Sequence, residues 1–255
     1  DDKWLKLKWY NKFLLLLSKR VVKRANAIRV VSQGIKEKLI KRGIDRDKIY
    51  IISTPVDLKK FSDFEQQKIE HYKKEFPGKN ILFIGRLEPV KNLSELIDVF
   101  KNVLKKYKPA RNDSQAKRSD SGGDVNLIIG GTGSLEQKLK NKVKKLNLEN
   151  NVRFLGRVDH DDLSDFLHFC DFLVLPSISE SFGKTLIEAN ACAKPVIASA
   201  TTGAQEIITD GKNGFIVPIH DKQVLENKIL KLLNNPDLAQ KMGEKGRQLV
   251  SGRYS

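Results

Sequence analysis

The sequence predicts an α/β protein, an open parallel sheet of short buried strands with helices packed on both faces. Three observations carry that expectation. From Asn80 onward, short apolar runs (Ile81 to Ile84, Asn126 to Ile129, Val152 to Leu155, Phe172 to Leu175, Pro195 to Ala198 and Phe215 to Val217) alternate with longer stretches of helical composition. The runs are nearly continuous in apolar character rather than alternating, as strands buried on both faces require. A chain of 255 residues, 40% of them hydrophobic, is also long enough to build one large core.

Taken in order, the elements begin with residues 3–24, where Trp4, Leu5, Leu7, Trp9, Tyr10, Phe13 and Leu14 to Leu17 stand among eight Lys and Arg. At about 100° per residue these apolar positions spread around a helix, which suits a helix packed on more than one side or a basic surface helix with Trp at an anionic lipid interface. A strand from Ala27 to Val31 follows, then a helix from Gln33 to Arg42 that Ser32 can cap, then a strand from Ile49 to Ile52. Thr54-Pro55 ends that strand, and the connector to about Asp63 places a domain boundary near residue 57. The expected division is therefore 1–57 and 58–255. Pro109 to Asp124 has no large apolar residue and reads as a flexible insertion. Helices from Lys222 to Leu233 and Pro236 to Val250 close the pattern.

Composition narrows the classes. The longest apolar run, Phe13 to Leu17, falls far short of the roughly 18–20 residues of a membrane-spanning helix. Cys170 and Cys192 lack metal-ligand or redox spacing and read as small buried hydrophobes, which fits a reducing cytoplasm. The sequence opens Asp1-Asp2 and its one Met is Met242, so an excerpt of a longer protein is expected. The +16 balance permits attraction to phosphates, nucleic acid or an anionic lipid surface and does not choose among them; the expected partner is a phosphate-bearing small molecule, with no nucleic acid. Asp45-Arg46-Asp47 and Asp159-His160-Asp161 sit in polar turns, where Asp caps helices, so no metal is expected at either. His71, His160, His168 and His220 show no ligand spacing.

Ligands in such sheets bind beyond the carboxyl ends of the strands, so chemistry is sought in the following loops. The segment Glu180-Ser-Phe-Gly-Lys-Thr-Leu-Ile-Glu188 comes directly after the strand Phe172 to Leu175 and carries two carboxylates eight residues apart. Gly183 can open a helix whose free N–H groups and positive dipole end suit a diphosphate. Glu188 then lies about 7.5 Å farther along the axis, within reach of a ribose, and Glu180 faces the opposite end of such a ligand.

This ordered set resembles the signature of retaining glycosyltransferase family 4. Besides Glu180 and Glu188, Gly85-Arg86-Leu87-Glu88-Pro89-Val90-Lys91-Asn92 is similar to the family's strand-loop-helix segment, and Gly130-Gly131-Thr132-Gly133 to its glycine loop. Val152 to Val158 resembles the segment beside the base, and Gly203-Ala-Gln-Glu-Ile207 and Asp210-Gly-Lys-Asn-Gly214 resemble its late loops. The resemblance covers residues 26–250 and implies a Rossmann-like, doubly wound GT-B C-terminal domain preceded by the end of an N-terminal, acceptor-side domain. It implies metal-independent transfer of a sugar, with retention, from a nucleoside diphosphate to a hydroxyl acceptor, which could be lipid-linked. Arg86 and Lys91 would hold the diphosphate and Glu180 would orient the sugar. Gly131, Gly133, Phe182, Gly183, Thr185 and Leu186 would contribute around the donor, Arg157 and Val158 would meet the base, and Glu188 would hold the ribose.

Three features depart from the family pattern: Thr54-Pro55 stands where Asn-Gly is common, Asn92 stands where Gly is frequent and reads as a helix cap, and of the acceptor-side domain only the end is expected here, without its His, so this excerpt is expected to bind donor without competent transfer. The competing readings are a dinucleotide-dependent epimerase or oxidoreductase, drawn from Gly131-x-Gly133 after a strand, and a non-catalytic nucleotide-sugar or membrane-associated module. The dinucleotide fingerprint expects a further Gly where this sequence has Glu136.

Overall fold

The computed structural model describes residues 20–54, 56–108 and 125–254. Most of the 3–24 segment and the whole of Pro109 to Asp124 lie outside the described residues. Among the described residues two parallel sheets form. In the smaller, β1 (Ile28–Val30) pairs with β2 (Ile49–Ile51), Ile28 opposite Ile49, and helix α1 (Gln33–Ile40) connects them. Val30, Ile44 and Ile49 form a small core there, with Val22, Ile35 and Leu39 packed on it. Asp45 accepts the Asp47 N–H at 3.1 Å and caps the 3-10 turn Arg46–Lys48, the role its turn position suggested.

Helices α2 (Leu58–Ser62) and α3 (Gln66–Glu75) lead into the larger sheet. Its strands are β3 (Lys79–Ile84), β4 (Val125–Gly130), β5 (Val152–Gly156), β6 (Phe172–Leu175), β7 (Val196–Ser199) and β8 (Gly214–Val217). Helices alternate with them: α4 (Leu93–Lys106), α5 (Glu136–Lys145), α6 (Leu163–Phe169), α7 (Lys184–Ala191), α8 (Thr202–Ile207), α9 (Lys222–Leu233) and α10 (Pro236–Arg253). The strand order is β5-β4-β3-β6-β7-β8, all parallel. The chain therefore winds outward from β3 in one direction, returns to the middle, and winds outward from β6 in the other. That reversal opens a crevice between the loops following β3 and β6.

Every residue of β4 and β6 is buried. Successive strand residues face opposite sides, so both faces of the sheet are covered, as the unbroken apolar runs imply. α4 turns Leu93, Leu96, Ile97, Phe100 and Val103 to the core, a stripe at helical spacing. Each fully covered Ile, Leu or Phe of this kind contributes about 1.5–3 kcal/mol. Several strands outrun their predicted ends, at Lys79, Gly130, Gly156 and Ser199, because backbone pairing continues through residues without a hydrophobic signal. Cys170 and Cys192 are buried and donate to the carbonyls of Leu167 and Phe61. Burial pushes both thiols up, Cys170 to about 12. Among the described residues no helix is long and apolar enough to cross a membrane.

Candidate functional site

Three loops meet at the carboxyl ends of β3, β4 and β5. The Gly85 N–H donates to the Gly130 carbonyl (3.0 Å), that of Leu87 to Thr132 (2.9 Å), that of Leu135 to Leu87 (2.9 Å), and that of Gly131 to Gly156 (2.6 Å). Glycine is required for this approach. Gly131 has φ 129°, and a Cβ built there would stand 2.0 Å from the Gly85 carbonyl oxygen; one at Gly133 would stand 2.6 Å from that of Leu87. Glu88 adds a side-chain tie, accepting the Ser134 N–H (3.0 Å) and hydroxyl (2.7 Å). Those two bonds, and more weakly the Arg86 charge, hold its carboxyl below the usual range.

These loops enclose an open recess of about 290 Å³, lined by Ile84, Arg86, Gly131, Thr132, Arg157 and Val158. Four predicted ligand residues thus share one surface. Gly133 is not among the residues lining it and lies under the Leu87 backbone. Arg157 pairs with Asp159 at 3.2 Å while remaining largely exposed, and Asp161 pairs with Lys60, so both Asp of that motif answer cations.

On the other side of β3 lies the loop from β6 to α7, none of whose residues line that recess. Its Ile178 N–H donates to the Val90 carbonyl (2.8 Å), and the Gly203 N–H donates to the Glu180 carbonyl (2.8 Å), which fixes the loop between the β3 loop and α8. Lys91 Nζ stands 2.5 Å from Glu180 Oε2, with side chains 15% and 19% exposed. This half-enclosed ion pair spans the crevice between β3 and β6.

Gly183 takes the N-cap position of α7 at φ 80°. The N–H groups of Lys184 and Thr185 follow it at the helix start, where no intrahelical acceptor exists. The Leu186 N–H is already bonded to the Gly183 carbonyl at 2.9 Å, and its side chain is fully buried. Leu186, expected to donate to phosphates from the first turn, is therefore a core residue. Phe182 packs edge-on against Tyr254, ring centroids 6.3 Å apart. Glu188 is 2% exposed, with its carboxylate 3.3 Å from Lys184 Nζ. Burial pushes its carboxyl up, and Lys184 and Lys60 pull it back only in part.

Two buried polar atoms in these loops have no hydrogen-bond partner among the described residues, Asn92 Nδ2 and Ser177 Oγ. Asn92 stands at the N-cap of α4, yet its side chain makes no capping bond. A side-chain cap needs extended backbone, and Asn92 has φ 55°, so the expected cap is lost. The same angle accounts for Asn in place of Gly, since Asn adopts the left-handed region more readily than most residues. Ser177 carried no sequence signal beyond its place after a strand. Ser32 did, as a cap, but its second partner was not foreseeable: its hydroxyl donates to the Ser181 carbonyl at 3.0 Å.

The family model Glycosyl transferases group 1 matches residues 63–249, which include both walls of the crevice. The chain belongs to this family. A second model, Glycosyltransferase Family 4, matches residues 3–60. Over 167 residues this group 1 chain is 36% identical to an uncharacterised glycosyltransferase of Methanocaldococcus jannaschii, covering 66% of this chain and 42% of that protein. It is 27% identical over 257 residues to the capsular polysaccharide biosynthesis glycosyltransferase CapM of Staphylococcus aureus, covering 98% and 63%. The chain thus matches less than two thirds of the length of these relatives.

Among solved structures, Anabaena HepE in complex with UDP and glucose superposes with a TM-score of 0.81 at 23% identity, covering 96% of this chain and 64% of that one. The C-terminal domain of a glycosyl transferase group 1 family protein from Francisella tularensis gives 0.65 at 27% identity, covering 78% and 98%. The α/β fold with its six-stranded parallel sheet is that of GT-B glycosyltransferases. The dinucleotide reading is not favoured. Its fingerprint belongs after the first strand of such a sheet, whereas Gly131-x-Gly133 follows the second, β4, and serves to pack against the β3 loop.

Proposed function

We propose that this group 1 chain binds a nucleoside diphosphate sugar in the β3–β6 crevice and forms the donor side of an enzyme that transfers the sugar, with retention and without a metal ion, to a hydroxyl acceptor. On this reading residues 58–255 bind the donor, and residues 1–57 end an acceptor-side domain. The observation that carries the reading is the Lys91–Glu180 pair at 2.5 Å, with Arg86 in the same loop and the start of α7 alongside. Structures of HepE with UDP and with UDP-glucose support a nucleoside diphosphate sugar as the donor class.

Each group has a physical task. The Lys91–Glu180 pair is net neutral; a diphosphate offers Lys91 more negative charge at the same place. Arg86 and the Lys184 and Thr185 N–H groups add donors aimed at the leaving oxygens, where charge grows as the glycosidic bond breaks. Released from Lys91, Glu180 can accept hydrogen bonds from sugar hydroxyls. The base occupies the recess between Arg86 and Arg157, and the ribose meets Glu188 once Lys184 swings aside.

Calorimetry with UDP, uridine and a panel of nucleoside diphosphate sugars, in the presence of a chelator, tests this. Arg86→Ala is expected to weaken UDP by tenfold or more, about 1.4 kcal/mol, while leaving uridine nearly unchanged. Equal losses for both ligands would remove Arg86 from the diphosphate site. Retention is read separately, from the anomeric configuration of product formed by the full-length protein.

A further inference from the structure

The first turn of α1 is satisfied from two sides. Of its four leading N–H groups, those of Gln33 and Gly34 donate to Glu206 Oε1 and Oε2 at 3.1 and 3.2 Å. Those of Ile35 and Lys36 return to Ser32, to its hydroxyl (3.4 Å) and its carbonyl (3.2 Å). Glu206 lies on α8, more than 170 residues away in sequence, so its carboxylate caps a helix of the smaller sheet from within the larger one. A carboxylate at a helix N-terminus is favoured by both the unpaired N–H groups and the helix dipole.

Three further contacts reinforce the same junction. Lys38 Nζ lies 2.5 Å from Thr202 Oγ1. Gly34 touches Thr202 so closely that a Cβ there would stand 2.4 Å from the Thr202 methyl carbon. The Ser32 hydroxyl donates to the carbonyl of Ser181, the residue after Glu180. On the far side, the N–H of Gly203, also on α8, holds the carbonyl of Glu180 itself.

We infer that Glu206 is a positioning residue that clamps α1 to α8 and thereby fixes the Glu180–Gly183 loop between them. The loop is gripped at Glu180 by α8 and at Ser181 by the residue preceding α1. Glu206 sets the distance between those two grips, so the acceptor-side and donor-side sheets are coupled at the loop that carries Glu180. The effect on donor binding rests on the function proposed above; the clamp itself does not.

The test is amide exchange on the ligand-free chain, followed by UDP titration. In Glu206→Ala, protection is expected to fall at Gln33 and Gly34 and also at Glu180–Gly183, and UDP affinity to drop about fivefold or more, a coupling of ordinary size. Glu206→Gln keeps one acceptor oxygen and should restore part of both. Gly34→Ala gives α1 a better helix former but crowds Thr202, so it should loosen the Glu180–Gly183 amides without weakening α1. Loss confined to Gln33 and Gly34, with the Glu180 loop and UDP affinity unchanged, overturns the inference. If the wild-type chain binds no UDP while both segments loosen together in Glu206→Ala, the clamp stands and the donor reading falls.

Discussion

Glu180 and Glu188 belong to one nine-residue segment, yet the protein treats them oppositely. Glu180 sits in the loop before α7, partly open to solvent, and its partner Lys91 comes from the other half of the sheet, 89 residues away. Glu188 sits inside α7, its side chain 3% exposed, and its partner Lys184 is one turn back on the same helix. The placement of Glu180 therefore reports whether the β3 and β6 loops have come together, whereas the placement of Glu188 is set by the helix and what buries it. A part-buried pair at the mouth of a crevice can exchange partners with a ligand that enters it. A desolvated acid costs stability, the kind of local conflict that proteins retain at functional sites.

The largest expected effect attacks the long-range half of that contrast. Lys91→Met removes the cation from a part-buried pair and leaves Glu180 facing the ligand's charge. UDP affinity should fall by about 2–3 kcal/mol, the range for truncating one partner of a buried charge pair. Calorimetry that finds no loss would mean that Glu180, not the ligand, is the true partner of Lys91.

A smaller effect, on stability instead of binding, concerns the support of α7. Asn190, on α7, and Asn213 are fully buried and hydrogen-bonded to each other at 2.6 Å; Asn213 also donates to the Ile207 carbonyl and accepts the Thr209 N–H. Asn213→Ala leaves those groups unpaired and should cost about 2 kcal/mol by denaturant unfolding. If α7 is as rigid a platform as Glu188 requires, UDP affinity should fall in the same variant.

Much of this was legible in the sequence because it rests on periodicity and chain order. Apolar runs located all six strands of the larger sheet, and the acids, glycines and cations fell on the loops that meet. What sequence could not supply was side-chain direction and competition for donors. Leu186 looked available in a first helical turn, but the Gly183 carbonyl claims its N–H. Gly133 looked like part of a ligand cradle, and its missing Cβ also makes room for the Leu87 backbone. Asn92 looked like a cap until its positive φ turned it away. Glu206 lay within a recognisable motif, yet its partners are two backbone N–H groups, which any residue pair can present.

The smallest expected effect bears on the local half of the contrast and concerns pH. Burial raises the folded-state pKa of Glu188 above its unfolded value, so the folded protein holds that proton more tightly. Its contribution to stability is then fully present below the unfolded pKa and is lost as pH rises through the folded pKa. Desolvation outweighs the Lys184 and Lys60 attractions, as the direction of the shift requires. Glu188→Gln keeps the shape and removes the ionised form, so it should raise Tm slightly near pH 7. The advantage should shrink toward pH 4, where the wild-type acid is protonated as well. Loss of the Lys184 pair subtracts little, because Lys184 is 37% exposed. The same variant should bind UDP more weakly, since a neutral amide grips ribose hydroxyls less well than a carboxylate. A variant less stable than wild type at every pH would show that the Lys184 pair, not desolvation, governs Glu188, and the two acids would then differ in location alone.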